Sequence, residues 1–133
     1  MTADLQVEHL AINVADPEGM ATWYGEHLGM SVARKGDPPD LMHFLADSGG
    51  RVILEIYRAL PDEVPDYAAM NPLILHLAFA TENTQATLET LVAAGATALG
   101  EVRVTPAGDH MAMLRDPWGL AIQLCQRAEP LIS

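Results

Sequence analysis

The chain has 133 residues, half of them apolar and 19% charged, which suits one small domain or two small modules with a real core and excludes disorder as the main state. Eighteen Asp and Glu against seven Lys and Arg give a formal charge of −11, a surface that repels phosphate backbones and anionic lipid, so neither a nucleic-acid nor a membrane partner is expected. The single cysteine, Cys125, excludes an intrachain disulfide and a thiolate zinc cluster. Residues 1–8 carry acids and no apolar run of signal-peptide length, and the longest apolar stretch, 72–80, is interrupted by His76; a cytoplasmic protein is expected.

In chain order, a first strand is predicted over 7–14. Asp16 then caps a helix whose first turn holds Pro17, where a missing N–H costs nothing. Met20, Trp23, Tyr24 and Leu28 recur at helical spacing, and Gly29 stands where the helix needs a left-handed C-cap. Short strands follow over 31–35, 41–46 and 52–58, the last two joined by the turn Ser48-Gly49-Gly50. Residues 59–72, with prolines at 61, 65 and 72 and acids between them, read as an extended linker. A strand over 73–80, a helix over 84–94 and strands over 97–104, 110–115 and 120–126 complete the chain, with Asp116-Pro117-Trp118-Gly119 as the final turn.

The second half repeats the first. Val7-Glu8-His9-Leu10-Ala11-Ile12 and Ile74-Leu75-His76-Leu77-Ala78-Phe79 share one pattern at an offset of 67, which also sets Asp16 over Asn83. Gly29 falls over Gly95, Met42–Asp47 over Met111–Asp116, and Glu55 over Gln123, at offsets that drift by a residue or two as loop insertions require. One domain, 1–133, is thus read as a module at 7–58, a linker at 59–72 and a second module at 73–126, each a strand, a helix and three strands.

Strand side chains alternate between faces. Leu10, Ile12 and Val14 are expected on the face that the helix covers, with His9, Ala11 and Asn13 opposite. Val52, Leu54 and Ile56 share a face, with Ile53, Glu55 and Tyr57 on the other. Leu73, Leu75, Leu77 and Phe79 are the covered set of the fifth strand with His76 opposite, and Ile122 and Leu124 cover Gln123's strand in the same way. His9, Glu55, His76 and Gln123 therefore occupy repeat-equivalent places opposite the aliphatic faces. If the two sheets face each other across a shared cavity, two imidazoles and a carboxylate make a common divalent-metal set with open positions for water or substrate. A buried Glu55 without a cation is also costly. Asn13 and Tyr57 share this parity and are candidate substrate contacts; His43 is a candidate cavity-lining or proton-transfer group.

With these residues in view the chain resembles the vicinal oxygen chelate superfamily of glyoxalase I, bleomycin- and fosfomycin-resistance proteins, extradiol dioxygenases and methylmalonyl-CoA epimerase. The resemblance is carried by the segment from Val7 to Asp16, by Trp23-Tyr24 and Leu28-Gly29-Met30, by Leu75-His76-Leu77-Ala78, and by the run from Asp116 to Leu124. It implies an α+β fold, two βαβββ modules whose curled mixed sheets enclose a shared cavity, the glyoxalase-like fold. It also implies a divalent metal ion (Fe, Zn, Ni, Co or Mn) on His9, Glu55, His76 and Gln123, a small-molecule substrate, and modules that close within one chain or across a homodimer, the latter favoured by the proline-rich linker. Gln123 departs from the Glu common at its position. An isomerase or lyase that stabilises an enolate-type oxyanion needs a base to move a proton between carbons, a catalytic role that falls to Glu55 because Gln123 has no basic oxygen. An extradiol dioxygenase on His9, His76 and Glu55, or a non-catalytic ligand-binding module of the bleomycin-resistance type, are the alternatives.

Overall fold

The computed structural model describes residues 2–51 and 53–132 and divides the chain into two compact units, 1–65 and 66–133. The division falls inside the 59–72 stretch. In unit 1 the elements are β1 (His9–Asn13), α1 (Pro17–Leu28), β2 (Ser31–Lys35), β3 (His43–Ala46) and β4 (Ile53–Tyr57). In unit 2 a short 3-10 helix (Tyr67–Ala69) precedes β5 (Leu77–Ala80), α2 (Thr84–Ala93), β6 (Thr97–Ala98), β7 (Arg103–Val104), β8 (His110–Arg115) and β9 (Ala121–Gln126). Each unit is thus a mixed α+β module. Among the described residues no helix is long and apolar enough to cross a membrane.

Sheet order in unit 1 is β1-β4-β3-β2, with β1 parallel to β4 and the other pairs antiparallel. Unit 2 repeats it as β5-β9-β8-β6, with β5 parallel to β9 and β7 also paired to β8. A parallel first-to-last pairing needs a crossover, and the helix supplies it. Local chemistry sets where each helix begins. Asp16 accepts from the Gly19 amide at 3.0 Å, with Pro17 at the first position, and Asn83 accepts from the Ala86 amide at 3.0 Å. Gly29 (φ 68) ends α1 in the left-handed conformation, and its amide bonds to the Tyr24 carbonyl.

The helix α1 packs on β2, β3 and β4 and buries Met20, Trp23 and Tyr24 against Leu45, Leu54 and Ile56. In unit 2, Leu88 and Leu91 of α2 cover Leu114, Ile122 and Leu124. Burying each such side chain is worth about 1.5–3 kcal/mol, so these two faces hold the modules together.

Four expectations change. Leu10 is 56% exposed, because β1 is an edge strand that α1 does not cover. Leu73 is 79% exposed, because 72–74 form a turn and β5 starts only at Leu77, so His76 stands just ahead of its strand. The single strand expected over 97–104 is split into β6 and β7, with Gly100 at φ 90 between them, a conformation that interrupts an extended run. Residues 67–69 are folded and not extended: Asp66 caps them, Tyr67 is buried, and Arg115 donates to the carbonyls of Tyr67 and Met70, both at 2.9 Å. Val52, expected on the covered face, lies outside the described residues.

Candidate functional site

In unit 1, register determines which side chains share the uncovered face. His9 lies beside Ile53, Ala11 beside Glu55 and Asn13 beside Tyr57, while on the other side of β4 Phe44 lies beside Glu55. Glu55 is therefore flanked by the small Ala11 and the Phe44 ring. His9 reaches across diagonally, with Nε2 3.4 Å from Glu55 Oε1 and its ring edge-on to Phe44 at 5.1 Å. The Glu55 side chain is 14% exposed and that of His9 31% exposed.

The other imidazole nitrogen decides what this pair can do. His9 Nδ1 is 2.9 Å from Glu8 Oε1, a carboxylate oxygen, so this nitrogen is engaged from behind and Nε2 is the one turned toward Glu55. At 3.4 Å the two are farther apart than a charge-assisted N–H···O bond of about 2.7–2.9 Å. They sit at the spacing, about 3.4 Å, of two donors each about 2.1 Å from one ion in tetrahedral geometry. The donor set of imidazole and carboxylate fits a divalent transition metal.

Unit 2 has a related arrangement. His76 Nδ1 donates to the Pro72 carbonyl at 2.8 Å, which leaves Nε2 with its lone pair. The β5–β9 ladder starts at Leu77 beside Ile122, so His76 precedes it by one residue, and Gln123 sits beside Ala78 and Met113. A small alanine on the parallel strand and a large apolar residue on the antiparallel one flank Gln123 just as they flank Glu55. Gln123 Oε1 accepts from the Cys125 thiol at 3.6 Å. Burial, more than any nearby charge, pushes the Cys125 thiol up from its ordinary range. A cavity of about 290 Å³ on this unit is lined by Gln123, Met111, Met113, Leu99, Glu101 and Arg103, among others. Among the described residues no group of three or more His, Cys, Asp or Glu side chains is gathered around one point. Unit 1 brings His9 and Glu55 together, whereas in unit 2 His76 stands ahead of β5 and Gln123 lies on β9.

Three other expected residues have definite places. Asn13 is on the Glu55 face, but both ends of its amide are used: Nδ2 donates to the Leu60 carbonyl at 2.7 Å and Oδ1 accepts from the Leu60 amide at 3.2 Å. It fastens the chain beyond β4. Tyr57 is on the same face and half-buried. His43 is corrected: it lies beside Ile56 and on the same side as Leu45, the face that α1 covers, and is 3% exposed with Nδ1 donating to the Leu41 carbonyl at 2.7 Å. Strand parity already pointed there, since its counterpart Ala112 is equally buried on the covered face of unit 2. Glu8 escaped notice in the sequence because a neighbour at i−1 belongs to the opposite face of a strand; it lies ahead of β1, where that rule lapses. Phe44 and Met113 could have been found from their shared place in the repeat.

Positions 6–124 match the family model described as Glyoxalase/Bleomycin resistance protein/Dioxygenase superfamily. Over 131 residues the chain is 29% identical to a probable lactoylglutathione lyase of Vibrio cholerae serotype O1, covering 93% of this chain and 92% of that protein. A glyoxalase family protein from Bacillus cereus superposes with a TM-score of 0.80 at 15% identity, over 96% of this chain and 97% of that one. A glutamate-to-glutamine mutant of glyoxalase I from Zea mays gives a TM-score of 0.73 at 25% identity, over 91% of this chain and 45% of that one.

Proposed function

The chain belongs to the glyoxalase/bleomycin resistance protein/dioxygenase superfamily, and from that premise we propose that it is a divalent-metal-dependent lyase or isomerase whose metal-binding set is His9, Glu55, His76 and Gln123. The observation that carries the reading is the His9–Glu55 pair: an imidazole nitrogen and a carboxylate oxygen 3.4 Å apart, with the imidazole oriented from behind by Glu8. The likeness to a probable lactoylglutathione lyase over nearly all of both chains supports lyase chemistry over ring cleavage. A divalent ion held by these donors supplies Lewis acidity to the oxygens of a chelating substrate.

The chain's own residues do the rest. Glu8 and the Pro72 carbonyl hold the two imidazoles with Nε2 available. Gln123 contributes a neutral amide oxygen, so the four-residue set carries one negative charge where a second glutamate would make two. Glu55 is the base: it would have to loosen its bond to the ion, and its carboxylate then takes a proton from a carbon next to a carbonyl and returns it to the neighbouring carbon. Phe44 packs on the His9 ring and limits the freedom of the pair.

Metal analysis of protein purified without chelators or a metal-affinity column tests this first, and a stoichiometric transition metal is expected. Calorimetric titration should then show tight binding abolished in His9→Ala and His76→Ala and weakened less in Gln123→Ala, because an amide oxygen is the weakest donor of the four. Equal losses in all three, or no metal in the wild type, refute the set. Conversion of the hemithioacetal of methylglyoxal and glutathione tests the lyase reading, and oxygen uptake with catechols in its place selects the dioxygenase. The proposal includes a homodimer: refolding His9→Ala with His76→Ala chains restores part of the wild-type metal binding if sites draw on two chains, and none if each chain completes its own.

A further inference from the structure

Unit 2 contains three cationic side chains, Arg103, Arg115 and Arg127. Arg115 is fully committed, donating to the carbonyls of Tyr67, Met70 and Gly119. Arg127 is paired with Asp109 at 3.2 Å. Arg103, among the described residues, has no ion-pair or side-chain hydrogen-bond partner. It opens β7 beside Met111, and Met111 and Met113 of β8 lie beside Cys125 and Gln123 of β9. Arg103 thus stands on the sheet face that carries Gln123, two strands away and one pleat along, roughly 12 Å between backbones. Both line the cavity of about 290 Å³, whose wall between them is the apolar surface of Met111, Met113 and Leu99.

We infer that the substrate of the proposed reaction is a small organic monocarboxylate, its carboxylate held by Arg103, its apolar body against Met111 and Met113, and its chelating oxygens toward Gln123. The inference rests on the reading of Gln123 as part of the metal-binding set. The net charge of −11 opposes an anion at long range, but an uncommitted guanidinium on a cavity wall is a local site that selects one. Its fork matches a carboxylate in bidentate fashion, and the methionine wall offers apolar surface to the rest of the molecule. Glu101, on the same cavity, repels a second negative group and so favours a monoanion over a dianion. The cavity is at the small end of ligand pockets, which run about 300–1,000 Å³, and suits a metabolite-sized acid.

The test uses three isosteric probes on the chelator-treated full chain: 3-phenylpropanoate, 3-phenylpropanamide and 3-phenylpropylamine, titrated by calorimetry or ligand-observed NMR. The acid should bind at least tenfold more tightly than the amide. Arg103→Gln should abolish that difference and Arg103→Lys should keep part of it, with far-UV circular dichroism unchanged because the side chain is exposed. Metal affinity, titrated separately, should be the same in Arg103→Gln as in the wild type. Equal binding of acid and amide, no acid binding up to its solubility limit, an unaffected Arg103→Gln, or a preference for the amine that disappears in Glu101→Gln each overturn the inference. Loss of the metal result with the acid preference intact refutes the metal set and leaves the Arg103 contact standing; the reverse outcome refutes Arg103 alone.

Discussion

Gly119 closes the turn between β8 and β9 at φ 92, and a Cβ built on it meets Ala68 Cβ at 2.7 Å, Ala68 N at 2.8 Å and Ala68 Cα at 2.9 Å. Gly100 has nearly the same φ, 90, with nothing within 4 Å of the built Cβ. The pair of substitutions to alanine separates two costs that usually come together. Both force an L-residue into the left-handed region, at about 1–2 kcal/mol. Only Gly119→Ala adds a collision with backbone that cannot rotate away, at about 1–3 kcal/mol more. Gly119→Ala is therefore expected to lose about 2–5 kcal/mol and Gly100→Ala about 1–2 kcal/mol. With a urea slope of about 1–3 kcal/mol per molar, their unfolding midpoints should differ by on the order of 1 M. Trp118, in the turn, reports the transition of unit 2 by fluorescence in a Trp23→Phe background. Coincident midpoints would show that the 67–70 segment moves aside freely and would refute the reasoning. The result bears on chemistry as well as stability. Arg115 ties this turn to the carbonyls of Tyr67 and Met70, and the chain from Met70 leads through Pro72 to His76.

Asp116→Ala should cost about 2–4 kcal/mol in the same assay, since its buried Oδ1 accepts from the amides of Trp118 and Leu120, both at 2.9 Å; Asp116→Asn, which keeps an acceptor, should cost less. The Ala128 amide above all, helped by Arg127 and opposed by burial, holds the Asp109 carboxyl below the usual carboxylate range. Its contribution to stability is thus complete above that range and is lost as pH falls through the lowered value, so Asp109→Asn should flatten the acid limb of a midpoint-versus-pH curve; an unchanged limb counts against the assignment. Burial raises the Cys125 thiol, so iodoacetamide labelling of the folded chain should rise at a higher pH than in urea, and coincident profiles would contradict it.

Much of the fold was legible because repeat and period agree. The His-Leu-Ala pattern, the Asp16 and Asn83 caps and the alternating Leu54-Glu55-Ile56 run each carry a local rule that tertiary structure did not override. Diagonal neighbours were legible too: parity put His9 and Glu55 on one face, and parallel pairing brought them within 3.4 Å. What was missed depends on where elements stop. Leu10 and Leu73 follow the apolar pattern but lie where no helix reaches or where the strand has not begun, and no period records an edge. Asn13 looked like a binding group because its amide partner, Leu60, is remote in sequence. His43 was a candidate cavity-lining or proton-transfer group, whereas its parity with Leu45 puts it on the covered face.

The two imidazoles proposed to hold the metal, those of His9 and His76, are oriented by different kinds of oxygen. Behind His9 stands the Glu8 carboxylate, on a side chain 82% exposed; behind His76 stands the Pro72 carbonyl, part of the chain itself. A single codon change can alter the first without disturbing a packed residue. Nothing short of remodelling the turn at 72–74 can alter the second. The first half thus steers its imidazole with an exchangeable side chain, while the second stays anchored to the geometry of its turn.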